Sequence, residues 1–123
     1  MTRPKQKEHG IQAAIMQFLD HALPDSYRAF AIPNGGKRDR ITGAILKREG
    51  VKAGVPDIAI VRGGGYVAFL EVKTAAGRLS NSQVEFKDWC GRNSVPYAVV
   101  RGIGDVQAAL MDWNVPILAR MSR

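Results

Sequence analysis

Residues 57–73 read DIAIVRGGGYVAFLEVK, two apolar runs joined by an arginine and three glycines. The apolar runs predict two β-strands, Asp57–Val61 and Tyr66–Val72, and the glycines predict a hairpin turn between them. Residues that face each other across antiparallel strands project from the same side of the sheet, with Cβ atoms about 5 Å apart. The pairing of this hairpin therefore determines which charged side chains meet at its open end.

The length of the turn sets that pairing. A five-residue connection over 62–66 places Asp57 opposite Glu71, whereas a four-residue connection over 62–65 places Asp57 opposite Leu70, on the wrong side of the sheet. Lys73 shares the side of Glu71, because side chains alternate along a strand. Only the first register, or a bulge that restores it, brings the two carboxylates and the lysine into one cluster.

Such a cluster indicates chemistry, because charged groups at the centre of an apolar sheet are costly unless they have a purpose. Two close carboxylates repel each other, and a hard divalent cation such as Mg²⁺ or Mn²⁺ takes oxygen ligands of this kind. A metal there can hold a phosphate and lower the pKa of a bound water. The lysine suits orienting that water or offsetting charge in the transition state. The structural alternative is a solvated strand edge with a surface ion pair.

The rest of the chain predicts an α/β fold with the element order α-β-α-β-β-α-β-α. Because a helix separates the strand that ends at Val72 from the strand that begins at Tyr97, we expect those two strands to be parallel and the sheet to be mixed, with helices flanking it. Helices are predicted over 8–23, 41–49, from the capping box at Ser80 to about Arg92, and over 105–113. The remaining strands are predicted over 27–32, 97–101 and, as an edge strand, 115–118.

Two helices direct further polar groups toward the sheet. Glu8 lies on the helical face of Ile15 and Leu19, so we expect its carboxylate to complete the shell of the site. Gln83 has two interpretations. Its spacing from Ser80 is that of a capping box, and its turn of the helix also faces the sheet.

Composition and charge exclude several classes of protein. The 123 residues are 46% apolar and 24% charged, which is typical of one folded domain over residues 1–123 and not of a disordered tail. No apolar stretch approaches the roughly 20 residues of a membrane span, and no signal peptide is recognisable. The single cysteine, Cys90, excludes an internal disulfide and a cysteine-rich zinc site, so we expect a cytoplasmic protein with no membrane partner.

The net charge of +7 makes a polyanionic partner the leading expectation. Residues 35–52 hold six basic residues against two acidic ones, and basic residues after a Gly-Gly pair suit contacts with DNA phosphates, although a solvated loop is the alternative. Trp89 and Trp113 are expected as core or interface anchors rather than as platforms for bases. The candidate DNA-binding residues are Lys37, Arg38, Arg40, Lys47, Arg48 and Lys52.

Three motifs in order, 54–57 (GVPD), 71–73 (EVK) and Leu79-Ser80 with Gln83, resemble those of the PD-(D/E)xK nuclease superfamily, and in particular a stand-alone VRR-NUC (virus-type replication-repair nuclease) domain. The resemblance covers roughly residues 8–101. It implies a restriction-endonuclease-like α-β-β-β-α-β core. It further implies the following roles: metal ligation by Asp57, Glu71 and the backbone carbonyl of Val72, catalysis by Lys73, and support of the site by Glu8 and Gln83.

The resemblance also implies a dimeric, structure-selective DNA nuclease of bacterial or phage origin, with a four-way (Holliday) junction as a plausible substrate. The apolar stretch 113–118 offers a surface for such a homodimer. Two alternatives stay open. A non-catalytic nucleic-acid-binding module explains the charge but gives no reason for carboxylates on apolar strands. A restriction-type, sequence-specific endonuclease needs an apparatus that reads base edges, for which 123 residues leave little room.

Overall fold

The computed structural model describes residues 4–33 and 40–118. It confirms the predicted element order and the mixed sheet flanked by helices. Lys37 and Arg38 lie outside the described residues. The elements are α1 (Pro4–Ala22), β1 (Tyr27–Ala31), α2 (Arg40–Arg48), β2 (Ile58–Arg62), β3 (Tyr66–Val72), α3 (Asn81–Arg92), β4 (Tyr97–Val100) and α4 (Ile103–Asp112).

The four strands form one sheet in the order β1-β2-β3-β4. Pairs β1/β2 and β2/β3 are antiparallel, and β3 and β4 are parallel, as the intervening helix α3 predicted. Ile58 pairs with Leu70, and Arg62 pairs with Tyr66 across the three glycines of the turn. This is the register that places Asp57, one residue before Ile58, beside Glu71, one residue after Leu70.

The two sides of the sheet have different coverings. On one side, Ile58 and Leu70 are fully buried in a cluster with Ile15 of α1 and Leu110 of α4. On the other side lies α3, whose Phe86 ring meets the Phe69 ring of β3 edge to face, with 5.5 Å between centroids. Glu71 and Phe69 alternate with the core residues of β3, so the charged cluster belongs to the side of α3 and not to the apolar core.

The predicted edge strand over 115–118 is wrong. Pro116 has no backbone N–H to give to a ladder, and the Leu118 N–H donates instead to the Ala22 carbonyl at the end of α1, at 2.8 Å. Val115 is buried in the core, and Ile117 packs against it. The apolar stretch 113–118, which the sequence offers as a dimer surface, therefore packs partly against its own core. None of the described helices is long and apolar enough to span a membrane.

The segment before Asp57 packs directly on the first turn of α3. Gly54 has a positive φ of 86°, and a Cβ on it would overlap the backbone carbonyl of Ser82. Glycine is the residue that adopts this backbone conformation and allows this approach without strain. The glycine of the GVPD motif thus sets the distance between the start of β2 and the helix that carries Gln83.

We expect Gly54→Ala to lower the free energy of unfolding by about 2–4 kcal/mol, because it combines left-handed backbone strain with a clash against backbone. Chemical denaturation with urea measures the loss. Gly63→Ala is the matched control, since a Cβ on Gly63 meets no described atom within 4 Å. Equal stabilities of the two variants would contradict the close approach of this segment to α3.

Candidate active site

The open end of the hairpin brings three charged residues of the sequence prediction together. Glu71 and Lys73 come from the end of β3, and only 2% and 9% of their surfaces are exposed. Lys73 Nζ lies 3.9 Å from Glu71 Oε2, the outer limit of an ion pair. Asp57 enters from the start of β2, and its charge acts on Glu71. The two carboxylates and the amine therefore share one side of the sheet.

Backbone hydrogen bonds hold Asp57 from two directions. The Val72 N–H donates to Asp57 Oδ2 at 2.8 Å, which ties the carboxylate to the residue between Glu71 and Lys73. The Ile32 N–H donates to the backbone carbonyl of Asp57 at 2.8 Å. The Asp57 side chain is thus anchored to the backbone at the end of β3, where it also interacts with the side chain of Glu71. The Val72 side chain itself is buried in the core.

Glu71 is a buried acid, and only one of its two carboxylate oxygens accepts a hydrogen bond from the described residues. Gln83 Nε2 donates to its Oε2 at 3.1 Å. Its Oε1 is buried and has no hydrogen-bond partner within the described part of the chain. Burial first, and then the negative charge of Asp57, raises the pKa of Glu71 to about 8, while Lys73 acts to lower it. The orphaned oxygen beside a second carboxylate fits a hard divalent cation, which takes oxygen ligands and compensates both charges.

Gln83 satisfies both interpretations that its sequence position allowed. Its Oε1 accepts from the Ser80 N–H at 2.8 Å, and its own N–H donates to Ser80 Oγ at 3.3 Å, which completes the capping box. Its Nε2 remains available for Glu71. One side chain therefore starts α3 and fixes the orientation of the buried acid.

Glu8 lies half-buried on α1 and is close enough to help raise the pKa of Glu71. Within residues 4–33 and 40–118, however, no three His, Cys, Asp or Glu side chains gather as a ready-made metal-binding group. The carboxylate ligands that the described chain offers are thus the pair Asp57 and Glu71. Mg²⁺ is commonly held by one or two carboxylates and keeps waters in its remaining positions.

Sequence reasoning missed Arg101, which organises the loop that follows Lys73. Arg101 Nη1 donates to the carbonyls of Thr74 at 2.6 Å and Gly77 at 2.8 Å, and more weakly to that of Ala75. The loop runs from Lys73 to the helix cap at Ser80. Its only sequence signal is a charged residue after a strand, which is too common to be informative.

The basic segment is brought only partly toward the site. Lys52 lines a cavity together with Phe69 and Pro56, the residue that precedes Asp57. Lys47 and Arg48 are exposed in the last turn of α2. Arg40 begins α2, and its side chain is outside the described part, as are Lys37 and Arg38. Among the candidates whose side chains the structure describes, Lys47, Arg48 and Lys52, it is Lys52 that lines this cavity next to the start of β2.

Comparisons with known proteins identify relatives of this fold. Two solved structures share the fold. One, described as a VRR_NUC domain protein, is 21% identical with a TM-score of 0.64, and the comparison covers 87% of each chain. The second, described as a VRR_NUC domain, is 18% identical with a TM-score of 0.57, covering 86% of this chain and 95% of that one. Comparison with curated protein sequences gives no match.

The family itself is shown by sequence. The profile of the VRR-NUC domain matches residues 4–103, which is most of the chain and contains every element from α1 to β4. The match includes both carboxylates, Lys73 and the capping residues of α3, and it confirms the resemblance on which the site was predicted. This chain belongs to the VRR-NUC domain family, a family of nuclease-type domains.

Proposed function

We propose that this protein is a divalent-metal-dependent deoxyribonuclease that hydrolyses phosphodiester bonds by attack of water on phosphorus. The observation that supports it most directly is the half-buried Asp57 beside the buried Glu71, with one oxygen of Glu71 unpartnered among the described residues and with Lys73 alongside. The net charge of +7 favours a polyanionic substrate. Membership of a nuclease-type family points the same way.

Each residue of the site has a separate role in the proposed reaction. Asp57, Glu71 and the backbone carbonyl of Val72 would hold Mg²⁺ or Mn²⁺, which supplies Lewis-acid stabilisation of phosphate charge and an acidified water. Gln83 donates a hydrogen bond to Glu71 Oε2 and so orients the carboxylate, which leaves Oε1 available to ligate the cation. Lys73 carries a positive charge next to Glu71, where it can orient the attacking water and offset the charge that develops on the phosphate oxygens. Glu8 adds negative potential that attracts a cation.

We expect Asp57→Asn, Glu71→Gln and Lys73→Ala each to reduce cleavage at least 100-fold while DNA binding persists, because each removes metal affinity or transition-state stabilisation. Linear, nicked, flapped and four-way DNA incubated with Mg²⁺, Mn²⁺ or EDTA provides the measurement. Asp20→Asn, an exposed carboxylate on α1, is the control and should cleave like wild type. Wild-type rates from Glu71→Gln would refute the site, and binding without cleavage by wild type would favour a non-catalytic module.

The raised pKa of Glu71 predicts a pH-dependent stability in the absence of metal. The folded protein holds this proton up to about pH 8, whereas the unfolded chain releases it near 4.5. The stability from this group is therefore complete below about pH 4.5 and is lost as the pH rises toward 8. Between pH 5 and pH 8 in EDTA, we expect the Tm of wild type to fall more steeply than that of Glu71→Gln.

Metal provides the complementary measurement. Mn²⁺ should raise the Tm of wild type at pH 8 and leave that of Glu71→Gln unchanged, because a ligand stabilises the state that binds it. Parallel pH profiles of the two proteins would contradict the buried ionisable acid. An equal Mn²⁺ shift in both would place the ion elsewhere.

We further propose that the substrate is branched DNA, such as a four-way junction, and that the active species is a homodimer. Resolving a junction takes two incisions on strands of opposite sense, and two-fold symmetry supplies two sites related in the same way. Because the stretch 113–118 packs partly against its own core, the interface needs another apolar surface. Ile41 and Ile45 on α2 are large, exposed apolar side chains that offer one.

Light scattering at micromolar concentration should give about twice 13.4 kDa for wild type. The double variant Ile41→Glu, Ile45→Glu should give the mass of one chain, because it introduces like charges into the interface. Leu46, a half-buried residue of the same helix, stays unchanged. A wild-type protein that is monomeric both free and on a four-way junction, and that still cleaves it, would overturn the dimer.

A further inference from the structure

The two tryptophans occupy different environments. Trp113 packs against the core as the sequence predicted. Trp89 does not, since 45% of its surface is exposed on α3. It lines an open cavity of about 340 Å³, together with Ala53, Ser82, Glu85, Phe86 and Arg92. This surface combines a half-exposed indole, an arginine and an open cavity. It suits a ligand with a flat face, which can stack on the indole.

A row of aromatic rings connects this cavity with the candidate active site. Phe69 lies two residues before Glu71 on β3 and contacts Phe86. The Phe86 ring in turn lies 5.9 Å from the Trp89 ring, with an angle of 32° between the planes. Along α3, Gln83 precedes Trp89 by six residues, a rise of about 9 Å. Trp89 thus lies on the same helix as Gln83, which binds the buried acid Glu71.

We propose that Trp89 is a stacking platform for an unpaired base of the DNA strand held at the candidate active site, with the Arg92 guanidinium contacting the adjoining phosphate. The proposal rests on the proposed function, which brings a DNA strand to this side of the sheet. Stacking on an aromatic side chain needs no particular base, because every base has a π-face. The cavity contains one acidic residue, Glu85, which leaves Arg92 as the group that attracts phosphate.

The platform gives a physical basis for selecting DNA by structure. In a continuous duplex the faces of each base are covered by its neighbours, so stacking on Trp89 requires an unstacked base, which costs free energy in paired DNA. At a branch, flap or frayed end a base is already unstacked, so it can stack on Trp89 without this cost. A site built in this way favours such DNA over a plain duplex without reading sequence.

Intrinsic fluorescence tests the contact directly. The chain has two tryptophans, so a Trp113→Phe background leaves Trp89 as the sole indole emitter. In EDTA, where cleavage is suppressed, we expect flapped DNA with an unpaired strand to quench this emission. A fully paired duplex of the same length, titrated to the same bound fraction, should quench it far less.

Affinity measurements with substitutions complete the test. We expect Trp89→Leu to weaken binding of flapped DNA about tenfold and to leave duplex binding unchanged, because leucine keeps apolar volume but offers no π-face. Trp89→Phe should retain most of the affinity. A thermal melt shows whether Trp89→Leu is folded, and its Tm should match that of wild type.

Three results would overturn the platform. Trp89→Leu could bind flapped DNA as tightly as wild type, or it could lose equal affinity for flap and duplex. Its mass by light scattering could also fall below that of wild type, which would show that a second copy of the chain packs on this face. Since all binding is measured in EDTA, these results are independent of catalysis. A protein that binds flaps through Trp89 but never cleaves them would contradict the proposed function alone.

Discussion

The hydrogen bond from the Val72 N–H to Asp57 Oδ2, 2.8 Å long, joins the two strand ends on which the site is built. Val72 lies between Glu71 and Lys73, so this contact places Asp57 relative to both. It exists only in the register that pairs Ile58 with Leu70, since a slip of one residue turns Asp57 to the other side of the sheet. The three glycines of the turn, two of them with positive φ, allow that register.

Burying the charged cluster of Asp57, Glu71 and Lys73 lowers the stability of the fold. The fold places this cluster on one side of the sheet and the stabilising apolar core on the other. The same strands that carry Glu71 and Asp57 on one side bury Ile58, Leu70 and Val72 on the other, against α1 and α4. On the charged side, a buried acid has its pKa raised to about 8 and one oxygen without a partner in the described chain. The apolar side holds the strands in place, so the fold tolerates the unsatisfied acid on the charged side.

Much of this could be predicted from sequence because the governing rules are local. Strand alternation, the glycine turn and the capping box of Ser80 and Gln83 each depend on neighbouring residues. The failures involve partners distant in sequence. Arg101 binds carbonyls 24 to 27 residues away, and backbone acceptors leave no trace in sequence. The stretch 115–118 is apolar whether it pairs as a strand or packs as a coil. The exposure of Trp89 depends on how α3 lies on the sheet.

Arg101 links these parts into one unit. Its guanidinium holds the loop whose ends are Lys73 and the cap at Ser80, so the position of the amine and the start of α3 depend on the same contacts. Gly54 fixes the other approach, between the segment before Asp57 and the first turn of α3. The start of α3, with Gln83, is therefore held close to both carboxylates, and Trp89 follows on the same helix. In the proposed complex, the distance between a phosphate at the site and a base on Trp89 would be set by a helix rather than by a loop. A strand would then have to present its phosphate and its unpaired base at that separation to make both contacts, and this requirement would discriminate between DNA structures.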